Sequence, residues 1–422
     1  MSSNLLLHKA VFVGDHKQVE KILEKSTEEE LNSQDIHGNT ALHIATMKGD
    51  KHCVEQLVKR GASTTIRNEL NWTSFDEAIS YGDFHIIKIL NDAITRRVVK
   101  FLKRDFIFEA IEKVKEDFVL KFEIRLKDFK PVSVIERPEL NITLTKKGLK
   151  MRADLTVLDC FHARPQNYHI FMDLDKKSNS FLKLTVDDLP FYQSVTFDCF
   201  EQTFADIFGR ESTAEEIHDL MRKENICVKL DNKLKAKDKP LFKKMRTKKI
   251  AGIKTHIYES QGLDLTLKTR TEHLKAREGL SPEAMIQRQT SLPPPTQKNI
   301  SWDQYMNAPK GKFPHLGREV IENSETNRVS IVIGLTDEIS FDWKWMLELA
   351  QQVVNNKLTT LISESTNDLP KGFPVFIDFP LRSSLYLKWK LKSFGSVANI
   401  DDSIFNIPDH FLERLIFRIE RD

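Results

Sequence analysis

The stretch Asp35-Ile36-His37-Gly38-Asn39-Thr40-Ala41-Leu42-His43 decides the fold of the N-terminal part of the chain. Gly38 supplies a residue that can take the left-handed turn conformation, and Thr40 can cap a helix opening at Ala41. Small Ala45 lets a paired helix approach closely. Gly49 ends that helix, and Gly61-Ala62 closes the next one before another extended tip. Working outward, the same pattern returns on both sides. His8-Lys9-Ala10 precedes Gly14-Asp15, and Asp76-Glu77-Ala78 precedes Gly82-Asp83. The Gly-Asp pairs at 14, 49 and 82 lie 35 and 33 residues apart. Each pair is followed by an apolar stripe at helical spacing: Val19-Ile22-Leu23, Val54-Leu57-Val58, Ile86-Ile87-Leu90. A unit of this length cannot bury its apolar face alone, so the period predicts about three stacked helical hairpins over residues 1–92.

The middle unit resembles an ankyrin repeat, with Ala41 where the T-P-L-H start of that motif usually has Pro. The outer units lack the full consensus, as capping repeats do. Five polar positions on the tips, Asp35, His37, Asn39, Asn68 and Asn71, are then expected to face a bound partner. Tip polarity also serves turn geometry, so that alternative stays open.

The chain has 422 residues, 40% hydrophobic and 30% charged, which fits folded domains and not a disordered polymer. Phe dominates the aromatics, 27 against 6 Tyr and 5 Trp, which favours packed sheets. Four widely spaced cysteines, Cys53, Cys160, Cys199 and Cys227, form no CxxC pair. A disulfide scaffold or zinc ribbon is therefore not expected, and reduced thiols in the cytosol are. Neither a secretory leader nor a membrane-spanning apolar run is visible. The net charge of +3 hides an asymmetry: residues 229–249 carry ten Lys/Arg against two Asp.

A helix is predicted over 93–116 from Ile94, Val98, Leu102 and Phe106. Period-two alternation then takes over, with Phe118, Leu120, Phe122, Ile124 and Leu126 opposite Lys121, Glu123 and Arg125, which predicts a half-buried antiparallel strand. Similar runs occur at 150–158, 168–174, 180–186, 263–271, 328–333, 374–379 and 384–392. Helices are predicted from Ser212 to Lys223 behind an S-x-x-E capping box, over 342–362, and from Asp409 onward. The Pro-rich stretch 281–300 reads as a linker or excursion. The fold class is α+β: a helical repeat array, a connecting helix at 93–116, and a mainly antiparallel β-rich domain in two parts, 117–280 and 301–422.

This second part resembles the C-terminal domain of the ankyrin repeat domain-containing protein 13 family. The blocks that carry the resemblance are Asp117-Phe118 to Phe122, Leu149 to Asp159, Thr269-Arg270-Thr271-Glu272-His273-Leu274, Ser301-Trp302-Asp303-Gln304-Tyr305, Leu369 to Val375 with Phe379-Pro380-Leu381, and Phe405-Asn406-Ile407-Pro408. The resemblance implies a protein that binds membrane-protein clients. Some members hold newly made G-protein-coupled receptors at the cytosolic face of the endoplasmic reticulum, and others carry ubiquitin-interacting motifs and act at endosomes. Such a motif needs an acidic run and an Ala and Ser on one helical face, and Phe411-Leu412-Glu413-Arg414-Leu415-Ile416 offers neither. Ubiquitin binding is therefore not expected here.

Arg270, Glu272 and His273 are chemically capable groups, but as a continuation of the strand through Leu263, Leu265 and Leu267 they fall on opposite sides of a pleat. A structural ion pair or a contact with a client is expected of them, not catalysis. Lys243, Lys244, Lys248 and Lys249 belong to the basic segment. Two readings stay open for it, a solvated face or a surface for anionic lipid. Nucleic acid is disfavoured because aromatic interleaving is limited to Phe242. Cys160, His162 and His169 lie close in sequence without metal-ligand spacing. No nucleophile elbow, phosphate loop or dinucleotide glycine set occurs, so no cofactor and no catalytic residue is nominated. The expected function is a non-enzymatic chaperone or adaptor for receptor-type membrane proteins, cytoplasmic and peripheral at the endoplasmic reticulum. The alternative is an endosomal adaptor for ubiquitinated cargo.

Overall fold

A computed structural model of the chain describes residues 5–101, 117–128, 139–158, 166–173, 182–186, 191–195, 211–222, 225–232, 242–260, 263–275, 300–310, 312, 314, 316–317, 320–339, 343, 370–380, 385–395, 400–407 and 412–414. The chain divides into two compact units, each assembled from separate stretches. The first joins residues 1–100, 207–229 and 266–325; the second joins 101–206, 230–265 and 326–422.

The first unit opens with α1 (Leu6–Val13), α2 (His16–Leu23), α3 (Glu28–Leu31), α4 (Ala41–Met47), α5 (Lys51–Lys59), α6 (Ser74–Tyr81) and α7 (Phe84–Phe101). The helix starts follow from capping chemistry. Thr40 and Thr73 each accept from the backbone N–H three residues on, and His43 and Asp76 return the bond in a reciprocal box. Gly14 and Gly82 end α1 and α6 in the left-handed conformation. Val11, Val19, Ile44, Ala45, Val54, Leu57, Ala78, Ile86 and Leu90 interlock as the repeat core. The same core includes Ile217 and Met221 from the helix Ala214–Met221, and Trp302, Tyr305, Leu316 and Val320 from the later stretch.

Two sequence expectations shift here. α7 is one helix of 18 residues, so Ile94 and Val98 continue the helix that opens at Phe84 and do not start a new one. The remainder of the helix predicted to 116 lies outside the described residues. The capping box before Ala214 uses Thr213 and Glu216, one position later than expected. Ser212 is instead held by Asp92, whose Oδ1 accepts its backbone N–H at 2.7 Å.

The second unit is built on β1 (Phe118–Asp128), β2 (Glu139–Lys147), β3 (Lys150–Leu158), β4 (Gln166–Asp173), β5 (Leu182–Val186), β6 (Phe191–Val195), β8 (Phe242–Ile250), β9 (Ile253–Ser260), β12 (Val332–Thr336), β13 (Phe373–Pro380), β14 (Leu385–Gly395) and β15 (Leu412–Arg414). These twelve strands follow the order β15-β6-β5-β4-β3-β2-β1-β14-β13-β12-β9-β8. Every pair is antiparallel except β15 with β6. A separate three-stranded sheet places β10 (Leu263–Arg270) between β11 (Asn323–Val329) and β7 (Asn225–Asn232).

Antiparallel strands therefore dominate, as the alternation predicts, with two differences. The run at 328–333 is two strands broken at Ser330-Ile331. The segment read as a C-terminal helix pairs as β15 over Leu412–Arg414, because Leu412, Glu413 and Arg414 lie alongside Phe191, Tyr192 and Gln193. The predicted helix 342–362 and the Pro-rich stretch 281–300 lie outside the described residues, save Ile300 and Trp343. Among the described residues, no helix is long and apolar enough to cross a membrane.

Candidate functional site

The polar tip residues of the repeats do not face solvent. Asp35, His37, Asn39 and Asn68 are all buried. Asp35 Oδ1 first organises its own turn, accepting from the backbone N–H of His37 at 2.8 Å and of Asn39 at 2.9 Å. Its other oxygen, Oδ2, accepts from the Tyr305 hydroxyl at 2.6 Å, and that hydroxyl accepts from Asn39 Nδ2 at 2.8 Å. His37 Nε2 donates to the Tyr305 carbonyl at 2.8 Å, and the two rings meet edge to face with centroids 4.9 Å apart. Burial, then the Asp35 carboxylate, hold the Tyr305 hydroxyl far above its ordinary pKa, so it stays protonated and donates. The residue that occupies these tips thus comes from the short capped helix Trp302–Met306 of the same chain.

The network continues without a gap. Asn68 Nδ2 donates to Asn39 Oδ1 at 3.1 Å and to Glu77 Oε1 at 3.2 Å. Glu77 Oε2 accepts from Arg270 Nη1 at 2.8 Å, and Arg270 Nη2 donates to Glu322 Oε2 at 3.1 Å. Arg270 and Glu77 side chains are each only 1% exposed. The guanidinium carbon lies 4.2 Å from the centre of the Trp72 ring, whose indole N–H donates to Glu322 Oε2 at 2.7 Å. Lys268 Nζ completes the cluster, 2.8 Å from Glu322 Oε1 and 3.1 Å from the Leu70 carbonyl. Burial alone would lower the Arg270 pKa, but the charges of Glu77 and Glu322 outweigh it and the net shift is upward. Glu322 moves oppositely: burial pushes it up, while hydrogen bonds from Lys268 and Trp72 and the Arg270 charge bring it below the usual carboxylate value.

The expectation that Asp35, His37, Asn39 and Asn68 reach a foreign partner is therefore corrected, because each is satisfied inside the chain. Asn71 differs: it is half-buried at a positive φ, its amide donates to Cys227 Sγ at 3.2 Å, and its carbonyl accepts from that thiol at 3.0 Å. Ile36 and Glu69 are tip side chains left exposed. Arg270 makes an ion pair, as the sequence predicts. The pleat ends there, however, and Glu272–Lys275 is a helical turn that packs on α6 with His273 buried. Tyr305, Glu77, Trp72, Glu322 and Lys268 are partners that sequence reasoning does not single out. The one local sign was the Ser301-x-x-Gln304 capping box, which does form.

A second cluster joins adjacent repeats. His16 Nε2 lies 2.9 Å from Asp50 Oδ2, His52 Nε2 lies 3.3 Å from Glu20 Oε1, and the two imidazoles meet at 4.7 Å. Asp50 Oδ1 caps α5 at the Cys53 N–H, and burial followed by Asp50 pushes the Cys53 thiol well up. His16, Asp50 and Cys53 place their donor atoms within 4.8 Å of one another. Their occupied hydrogen bonds and protonated thiol make this a helix cap with a cross-repeat pair.

In the second unit, register sorts the sheet into two unlike faces. One row runs Ile170, Ala153, Leu144, Leu120, Phe394 across β4, β3, β2, β1 and β14. The next runs Tyr168, Leu155, Ile142, Phe122, Leu391, and a third runs Val157, Leu140, Ile124, Trp389, Ile377, Ile333. Phe122 and Leu391 are buried, whereas Ile124, Ile142, Leu155, Ile170, Ile377 and Trp389 are only partly so. The other face carries Arg125, Glu123, Glu139, Asp154, His169 and Lys392 in ion pairs. Lys243, Lys244, Lys248 and Lys249 all lie exposed on β8, at one end of the sheet.

Stacked helical hairpins with capped tips, followed by a strand-built module, define an ankyrin-repeat protein, a class that works by binding other proteins. Residues 7–97 match the family described as "Ankyrin repeats (3 copies)". Along its length the chain is similar to Ankyrin repeat domain-containing protein 13C of Homo sapiens, 27% identical, with 96% of this chain and 77% of the relative covered. The Danio rerio protein of the same name is 26% identical over 96% of this chain and 85% of its own length. Ankyrin repeat domain-containing protein 13B of Homo sapiens is 22% identical, covering 94% of this chain and 68% of the relative. Over nearly its whole length the chain is thus similar to proteins of the ankyrin repeat domain-containing protein 13 family, and its N-terminal part is an ankyrin-repeat array.

Proposed function

We propose that this chain is a chaperone-like adaptor that holds extended cytosolic segments of membrane proteins, of the G-protein-coupled receptor type, on the apolar face of its large sheet. The observation that supports the reading is the set of three apolar rows, with Ile124, Ile142, Leu155, Ile170 and Trp389 left partly exposed across five neighbouring strands. Apolar area removed from water contributes roughly 25 cal/mol per Å², so a face of this kind binds by shape and hydrophobicity and tolerates varied sequences. The buried tips favour the same assignment, since the surface by which repeat arrays often grip a partner is filled from within. No nucleotide is required, and release follows client folding or competition.

The test is capture of synthetic peptides spanning receptor cytosolic tails and loops by the full chain. Leu155→Glu and Ile142→Glu on the apolar face are expected to weaken capture at least tenfold. Lys121→Gln on the polar face is expected to leave it unchanged. Equal capture by all three variants would sink the reading. Capture of ubiquitin-coated beads in place of peptides would favour the endosomal adaptor.

A further inference from the structure

We infer that the hairpin of β8 and β9 is a docking ribbon for an anionic lipid surface. It stands on the ribbon's own geometry and not on the client reading. β8 ends the described strand order, and among the described residues nothing pairs with its outer edge. Seven consecutive residues, Lys243 to Lys249, are exposed. A strand packed on a core hides every second residue, so this stretch of β8 is solvated on both faces, while β9 buries Thr255 and Ile257 and anchors the hairpin. Five of the seven are cations: Lys243, Lys244, Arg246, Lys248 and Lys249. Among the described residues none of them has an ion-pair partner, and exposed Lys254 adds a sixth cation on β9. The turn Ala251-Gly252, at φ +49° and +83°, is a tight reversal that keeps the two strands together to their tip.

The register jumps from Lys244 opposite Tyr258 to Arg246 opposite Ile257, which leaves Met245 as the unpaired bulge residue. A bulge re-aims its side chain, and Met245 is 54% exposed in the midst of the cations. A flexible apolar side chain ringed by ammonium groups suits a lipid interface, where the charges meet headgroups and the thioether enters the boundary. Nucleic acid fits less well. Phe242 is buried and offers no stacking platform, and four of the five strand cations are Lys, without the fork that reads phosphate bidentately. Ordinary edge protection also uses lysine, but one or two suffice for it, and it does not call for an exposed Met.

The experiment is sedimentation of the full chain with vesicles of phosphatidylcholine alone or mixed with phosphatidylserine. The unaltered chain is expected to bind the mixed vesicles, to ignore the neutral ones and to lose affinity as salt rises. The combined K243Q, K244Q, K248Q and K249Q chain is expected to lose roughly 600-fold in affinity, since each lysine near the membrane is worth about fivefold. Met245→Ser, with the charge unchanged, is expected to lose severalfold. The combined K121Q, K390Q and K392Q chain, altered on the other part of the sheet, is expected to bind like the parent. A ribbon variant that melts normally and still binds mixed vesicles like the parent would overturn the inference. So would equal losses in the control, or tighter binding to an RNA oligonucleotide than to the mixed vesicles.

Discussion

The two units use the same residue types in opposite ways. In the repeat unit, Arg270 and Glu77 form an ion pair sealed from water, stacked on Trp72 and tied through Asn68 and Asn39 to Tyr305. In the sheet unit, Arg125 sits 49% exposed between Glu123 and Glu139, on a face that stays wet. The first arrangement fixes one geometry, because a buried charge stripped of its partner is strongly penalised. The second keeps a face soluble and contributes little to stability. A short repeat array thus gains the rigidity it lacks in length by covering its own tips.

Substitutions should separate these roles. Arg270→Met is expected to cost the most, about 3–5 kcal/mol, because it leaves Glu77 buried and unpaired. Denaturant melting followed by Trp72 fluorescence would show it, and a loss below about 1 kcal/mol would contradict the locking role. Tyr305→Phe removes a hydroxyl that both donates to Asp35 and accepts from Asn39. Its expected cost is about 1–3 kcal/mol, for polar groups left unsatisfied in the interior.

Acid should act on the repeat unit through its histidines. Burial lowers the pKa of His43, and of His8, below the ordinary 6.5. The unfolded chain therefore takes up protons that the folded chain refuses. The stability from neutral burial is complete above pH 6.5 and declines as pH falls toward the lowered folded values. Melting temperatures compared at about pH 7.5 and about pH 5.5 should drop on the acid side, and His43→Gln should flatten the slope. An identical slope in that variant would remove His43 from the account. Smallest of all, Arg125→Gln should change stability by no more than about 1 kcal/mol, as expected for a solvated pair.

Much of this contrast was legible in the sequence where apolar spacing carried it. The repeat period located the three hairpins α1–α2, α4–α5 and α6–α7, though not the single turn α3, and alternation located β1, β3, β4 and β14, because burial on one face imprints a period. β8 shows why the rest was not. Between buried Phe242 and half-buried Ile250 all seven residues are exposed, so nothing in Lys243 to Lys249 alternates, and hydrophobic patterning is blind to a stretch that buries nothing. The tips failed for the converse reason. Asp35, His37 and Asn39 read as surface residues because polar groups rarely lie inside, and their partner Tyr305 is some 270 residues away in the chain. Arg270 was placed in an ion pair by its chemistry, but Glu77 and Glu322 could be named only once the chain was folded.

The covering of the repeats by the later stretch of the chain is tested most directly by a double-mutant cycle on Arg270→Met and Glu77→Leu, read by denaturant unfolding. A buried pair predicts that the double variant is less destabilised than the sum of the single variants, by roughly 2–3 kcal/mol of coupling. Losses that simply add would mean that Arg270 and Glu77 do not meet, and that the tips stand open.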